Sequence, residues 1–296
     1  MRRKNDRRAR HVAGGLIVAL ALAAAGCVQG EATAPSPPVF DPPTGVPTLG
    51  GQPMRPVSGY TRTPGTNCAY IIRLTVFPVI VPAGAVSHSE RLWHYLDEEI
   101  ADAGTSAVLN RNGLRVGRGR QADWPAVAGL LRELTGQTPA RQEQILRPGG
   151  AVSIVLAESQ PTQRLFVFDQ EGCLRGQDYP PGDNVLMLGA RLNSDDPADV
   201  TIHAVPVVRI MTPRVISTDD GVRLSREPQL VPVEPLEFIA RVEEGQYLII
   251  GPGVAARRET SPGRRFFAHT DSGLDKETLL VITPEVFVAE LPAVEP

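Results

Sequence analysis

The histidines and carboxylates of residues 88–98 are the first place to look for chemistry. His88, His94, Asp97 and Glu98 lie close in sequence. His94 is within helical reach of Asp97 or Glu98, but His88 and His94 are six positions apart and face different ways on a helix. A zinc site wants two ligands on one face, so a solvated helix face is the expectation. His203 stands alone among alternating apolar neighbours and reads as an exposed or satisfied histidine rather than a base. No serine sits in a Gly-x-Ser-x-Gly elbow. Gly117-Arg118-Gly119-Arg120 lacks the lysine and the spacing of a phosphate loop. Arg111, Arg115, Arg118 and Arg120 gather positive charge around the hairpin that could meet an acidic partner or lipid head groups, but a solvated hairpin is the expectation. Asp219 and Asp220 offer oxygens to a cation without the rest of a calcium set. No catalytic residue, no metal ligand and no cofactor is therefore assigned, and the expectation is that the protein is not an enzyme.

The three cysteines carry a clearer message. Residues 1–10 hold six basic side chains (Arg2, Arg3, Lys4, Arg7, Arg8, Arg10) against Asp6. The apolar run Val12–Ala25 is short for a bilayer span, and small residues close it. This is the layout of an export signal over residues 1–26. Leu22-Ala23-Ala24-Ala25-Gly26-Cys27 resembles the lipobox of bacterial lipoproteins, with Ala24 where that family prefers leucine. The resemblance implies that Cys27 becomes the lipid-bearing first residue. Val28 after it is consistent with sorting to the outer membrane, facing the periplasm. Several acyl chains at ~0.8 kcal/mol per buried CH₂ make a stable anchor. Export makes a disulfide between Cys68 and Cys173 permissible; the alternative is two separate thiols.

Removing residues 1–26 takes the basic count from 30 to 24 and the acidic count from 33 to 32, so net charge moves from −3 to −8. Such a chain has no electrostatic reason to bind nucleic acid broadly. No small-molecule substrate is indicated.

These residues need elements to hold them. Residues 27–66 read as the lipidated cysteine and a proline-rich tether, too poor in apolar periodicity to fold. Residues 67–150 read as a small α+β domain. It has a strand at Tyr70–Phe77 and a helix behind a Ser87/Glu90 capping pattern, with Leu92, Trp93, Leu96 and Ile100 on one face. A hairpin over Ala107–Val116 follows, turning at Asn112-Gly113. A helix from Asp123 with Pro125 in its first turn comes next, then a short helix at Pro139–Leu146. Residues 151–290 read as strands only: Val152–Leu156, Arg164–Asp169, Val185–Leu188, Val200–Ile210, Val215–Ser217, Val222–Ser225, Leu236–Glu243, Tyr247–Ile250, Arg265–Ala268 and Thr278–Ile282. This predicts a β-rich sandwich or curved sheet. Residues 291–296 are a tail. The fold class is thus α+β, a small sheet-and-helix domain followed by a β-rich one.

Within the β-rich part, Val200–Pro206 resembles a sheet strand of the conserved β-domain of bacterial secretins, the outer-membrane pores of type II and type III secretion. Gly245–Gly251 resembles that family's Gly-Gln strand closing on glycine, and Glu277–Pro284 its final acidic, apolar, Thr-Pro strand. Here the segment Pro252–Lys276 is short and charged where secretins carry a long gate-building insertion. The resemblance implies an envelope protein that is an accessory or structural component of secretin-type secretion, with protein partners in that assembly. The alternative is an envelope binding module unrelated to secretion.

Overall fold

The computed structural model describes residues 46–49, 52–58, 60, 67–136, 140–194, 196–218 and 221–291. Cys27, the expected export signal and most of the expected tether lie outside the described residues, as do Asp219 and Asp220. The described residues belong to one compact unit, Pro38–Pro296. Its main elements are β1 (Cys68–Pro82), α1 (Ala103–Arg111), β2 (Leu114–Arg120), α2 (Trp124–Thr135), β3 (Gln142–Leu146), β4 (Ala151–Gln160), β5 (Gln163–Phe168), β6 (Leu174–Tyr179), β7 (Gly182–Leu192), β8 (Val200–Thr218), β9 (Gly221–Pro232), β10 (Phe238–Val242), β11 (Gln246–Pro252), α3 (Pro262–Phe267), β12 (Ala268–Asp271) and β13 (Leu274–Glu290). The protein is β-rich with a few short helices.

Two antiparallel sheets dominate. Sheet I runs β2-β11-β13-β1-β3, with β12 and the short strand Arg55–Pro56 added on β13. Sheet II runs β9-β8-β7-β4, with β10 on β8. β5 and β6 form a hairpin of their own. The expected boundary near residue 150 is crossed by sheet I: β1 bonds to β13 and β2 to β11, while β3 pairs with β1 at the sheet's edge. The cause lies in β1. Ile72, Leu74 and Val76 point to one face, Phe77, Val79 and Val81 towards the other, and all six are buried. A strand buried on both faces must be central, and β13 supplies the partner along its whole length, from Lys276↔Pro82 to Glu290↔Cys68.

One apolar cluster joins Leu74, Leu248 and Ile282 of sheet I to Leu186, Ile202 and Phe238 of sheet II. A second lies on the outer face of sheet I, where Val127, Leu130 and Leu131 of α2 pack on Val79, Ile249 and Val281. Helix α2 begins where Asp123 and Pro125 place it, although the Asp123 side chain makes no capping bond.

Several local expectations are corrected. The Ser87/Glu90 pattern opens no α-helix. Only a 3-10 turn forms, at Trp93–Tyr95, because the Ser87 hydroxyl is taken by Glu277 of β13. Residues 103–111 are helical rather than half of a hairpin. Asp102 accepts the Thr105 amide at 3.0 Å as the N-cap, and Asn112-Gly113 links helix to strand, with Gly113 at φ +79°. Pro139–Leu146 is not a helix: Gln142–Leu146 is edge strand β3. Pro262–Phe267 is a helix rather than strand Arg265–Ala268, since Pro262 opens it and Ser261 accepts the Arg264 amide. The separate strands expected at Val200–Ile210 and Val215–Ser217 are one strand, β8. Its Pro213 sits where β9 is the only neighbouring strand among the described residues, a position where a missing amide is tolerated.

Candidate functional site

Strand β8 is bonded on one side to β7, but only as far as Arg209↔Asp183. On its other side β10 pairs with Val200–Ala204 and β9 with Val207–Thr218. From Ile210 onward β8 therefore has β9 alone among the described residues. The result is a two-stranded ribbon that leaves the sheet for nine residues, about 30 Å at ~3.4 Å per residue.

The register sorts the ribbon's side chains onto two faces. Ile210 faces Gln229, Thr212 faces Glu227 and Arg214 faces Ser225. This face is polar: Thr212 Oγ1 donates to Gln229 Oε1 at 3.3 Å, and Arg214 pairs with Glu227 at 2.7 Å. The opposite face sets Arg209 against Leu230, Met211 against Pro228 and Pro213 against Arg226. There Met211 is 46% exposed, Val215 64% and Leu230 47%. An isolated two-stranded hairpin is marginal in water, and its outer edges present unpaired amides and carbonyls. The ribbon thus combines a partly apolar exposed face, with Met211, Val215 and Leu230 beside Arg209 and Arg226, and edges that no strand among the described residues covers. At its root Arg209 pairs with Asp183 at 2.8 Å, which lowers the Asp183 pKa together with the Ser159 amide bond, the larger cause. That pair fixes where the ribbon leaves the body.

The residues singled out in the sequence are dispersed. His88 Nε2 accepts from Arg257 Nε at 2.6 Å, and His94 meets the edge of Tyr95. Asp97 pairs with Arg118 at 2.8 Å, which holds its carboxyl below the usual range. Glu98 and Glu90 both clasp Arg115 at 2.6 Å, and Arg115 lies over Trp93. The two arginines at the centre of the basic group thus hold the 90–98 segment onto β2. His203 contacts Glu237 at 2.6 Å on the surface of sheet II.

Cys68 and Cys173 are not joined by a disulfide. Cys68 begins β1, with its Sγ 3.4 Å from Tyr60 Oη. Cys173 lies exposed in the β5–β6 turn. Their elements put them in different parts of the fold, which sequence spacing could not reveal. The turn around Cys173 brings one ligand atom each of Asp169, Glu171 and Cys173 within 4.8 Å of one another. Asp169 is already engaged there: its Oδ1 accepts the Glu171 and Cys173 amides, and its Oδ2 pairs with Arg175. The geometry is that of an Asx turn.

The three segments with secretin-like patterns fall on β8, β11 and β13. Two of them are neighbours, with Leu248↔Ile282, Ile249↔Val281 and Ile250↔Leu280 in register. The first lies in sheet II. The charged segment between the last two holds α3 and β12.

No family model matches the chain, and no curated protein matches it. Among solved structures, it is similar to the secretin-domain β-barrel of InvG from the Salmonella SPI-1 injectisome. Identity is 8%, coverage is 77% of this chain and 62% of that one, and the TM-score is 0.15. It is also similar to a chain in the Klebsiella pneumoniae type II secretion system outer-membrane complex of PulD, PulS and the PulC HR domain. There identity is 8%, coverage 75% and 38%, and the TM-score 0.16. The chain spans less than two thirds of either structure's length, and the likeness to secretin-type domains is distant.

Proposed function

We propose that this chain is a non-enzymatic protein of the cell envelope, anchored by lipid on Cys27 at the outer membrane and facing the periplasm. Its role is that of an accessory or structural component of secretin-type protein secretion. The observation that carries the reading is the β8–β9 ribbon. Its open edges and exposed Met211, Val215 and Leu230 suit strand addition and apolar packing against a protein partner. The strand patterns at Val200–Pro206, Gly245–Gly251 and Glu277–Pro284 support secretion machinery as the setting.

A photo-crosslinking amino acid at Val215, introduced in the living cell, tests the partner. Adducts with an outer-membrane secretion component are expected from Val215 and not from Ile80, which is exposed on β1 of sheet I. Equal labelling from both positions, or adducts only with proteins foreign to secretion, would overturn the reading.

The anchor has its own test. Cys27→Ser should abolish incorporation of radioactive palmitate and release the protein from the membrane fraction. Unchanged labelling would remove the lipid anchor from the proposal.

A further inference from the structure

The outer face of sheet I is only partly covered by α2. Beyond the helix start, a cavity of about 500 Å³ opens over Thr75 and Phe77 of β1 and Thr283 and Glu285 of β13, walled by Trp124 and Tyr247. Its volume is that of a small-molecule site. Two features set it apart from an incidental groove. Thr75 is 1% exposed and Tyr247 2%, and among the described residues neither hydroxyl has a hydrogen-bond partner. A buried hydroxyl left unpaired is costly, and native folds seldom leave two on one cavity wall without a use. Tyr247 is held firmly: its ring lies across Gly119, where an added Cβ would stand 2.2 Å from it, and its edge meets Trp124 at 4.9 Å.

The second feature is charge. The charged residues lining the cavity are both carboxylates, Glu244 and Glu285. Glu285 is matched by Arg73 at 2.8 Å, and Arg73 lies over Phe287. Glu244 accepts a hydrogen bond from Ser58, and among the described residues no arginine or lysine pairs with it. Asp123 adds negative charge near Tyr247; with burial, the larger cause, it raises the phenol pKa. A carboxylate without a basic partner on the same cavity wall as Trp124, Phe77 and Tyr247 attracts a positive, partly apolar group by ion pairing and cation–π contact together.

We propose that this cavity binds an organic cation, an alkylammonium or guanidinium group whose charge meets Glu244 and whose carbon portion lies against Trp124 and Phe77. The group could belong to a free amine or to a lysine or arginine side chain of a protein. The site is independent of the ribbon and of the proposed role in secretion.

Titrations of the full-length protein, followed by tryptophan fluorescence and by calorimetry, test it with n-pentylammonium and its neutral counterpart 1-pentanol. A capped Ala-Lys-Ala tripeptide is the third probe. The amine should bind about tenfold or more tightly than the alcohol. Glu244→Gln, on a surface turn, should erase most of that preference without lowering the unfolding temperature. Trp124→Phe should weaken the amine less than Trp124→Ala. Tighter binding of the tripeptide than of the amine assigns the source to a protein side chain, and the reverse order to a free amine. Equal affinity for amine and alcohol, indifference to Glu244→Gln, or no saturable binding below about 10 mM of either cationic probe would each overturn the proposal.

Discussion

Gly263→Ala should lower the stability of the folded protein by about 4 kcal/mol or more, an effect at the severe end for one added methyl. Gly263 lies in the first turn of α3, and its amide donates to the Asn112 carbonyl at 2.9 Å. A Cβ there would stand 1.9 Å from the Gly113 oxygen and 2.3 Å from its carbonyl carbon. These are backbone atoms, so no rotamer change relieves the clash. Gly113 cannot yield either: its own Cβ position is 2.6 Å from the Ala256 amide, and its φ of +79° is a conformation glycine holds cheaply. The junction also carries Asn112, fully buried. Its side chain donates to the carbonyls of Val108 and Phe168 and accepts the Phe168 amide. Parting α3 from Gly113 therefore loosens α1, β5 and α3 at once. For a domain of this size ~4 kcal/mol corresponds to a fall of roughly 8–16 °C in melting temperature, readable by calorimetry. A fall under about 2 °C would show that the backbones part freely there.

Glu277→Ala should cost about 3 kcal/mol. The Glu277 carboxylate is 5% exposed and accepts from the amides of Gly84, Val86 and Ser87 at 2.8, 3.3 and 3.1 Å, and from the Ser87 hydroxyl. It holds the loop after β1 against β13. Removing it leaves three amides without an acceptor, and the hydroxyl can rotate while they cannot. Hydrogen exchange at Gly84, Val86 and Ser87 should quicken by about tenfold or more, as local opening becomes cheaper. Unchanged exchange would mean that the loop is held by other contacts, such as the Ala83 amide to the Asp275 carbonyl at 3.0 Å.

Both predictions concern contacts between residues more than a hundred positions apart, and such contacts are what a single sequence conceals. What was legible was local. The alternation at Leu236–Val242 gave β10, because that strand has one buried face and one exposed face. Pro125 after Asp123 gave the start of α2. The misreadings follow from competition between signals. Asn112-Gly113 is a strong hairpin pattern, and it outweighed the Asp102 cap that makes the preceding residues helical. Ser87 looked like a cap because its hydroxyl suits one, but its acceptor arrives from β13. Ser261-Pro262 is a proper helix opening, hidden by the apolar Phe266 and Phe267 that follow. Strand β6 is polar along Arg175–Asp178 and gave no apolar signal, since only Tyr179 is buried. The ribbon was divided because Pro213 interrupts the pattern, and its protrusion depends on where β7 ends. The cavity was invisible for the same reason: Thr75, Trp124, Glu244 and Thr283 meet only after sheet I forms.

The pairing of β1 with β13 sets the order in which the molecule can assemble. Cys68–Pro82 meets β3 along Ile72–Val76, but its full-length partner is Lys276–Glu290, so an early strand of the fold waits for the latest. Contacts this distant make folding slow, since a loop of some two hundred residues must close before the pairing is rewarded. A chain supplied residue by residue from its N-terminus holds β1, apolar on both faces, without its long partner until the last strand arrives, and sheet I consolidates only then.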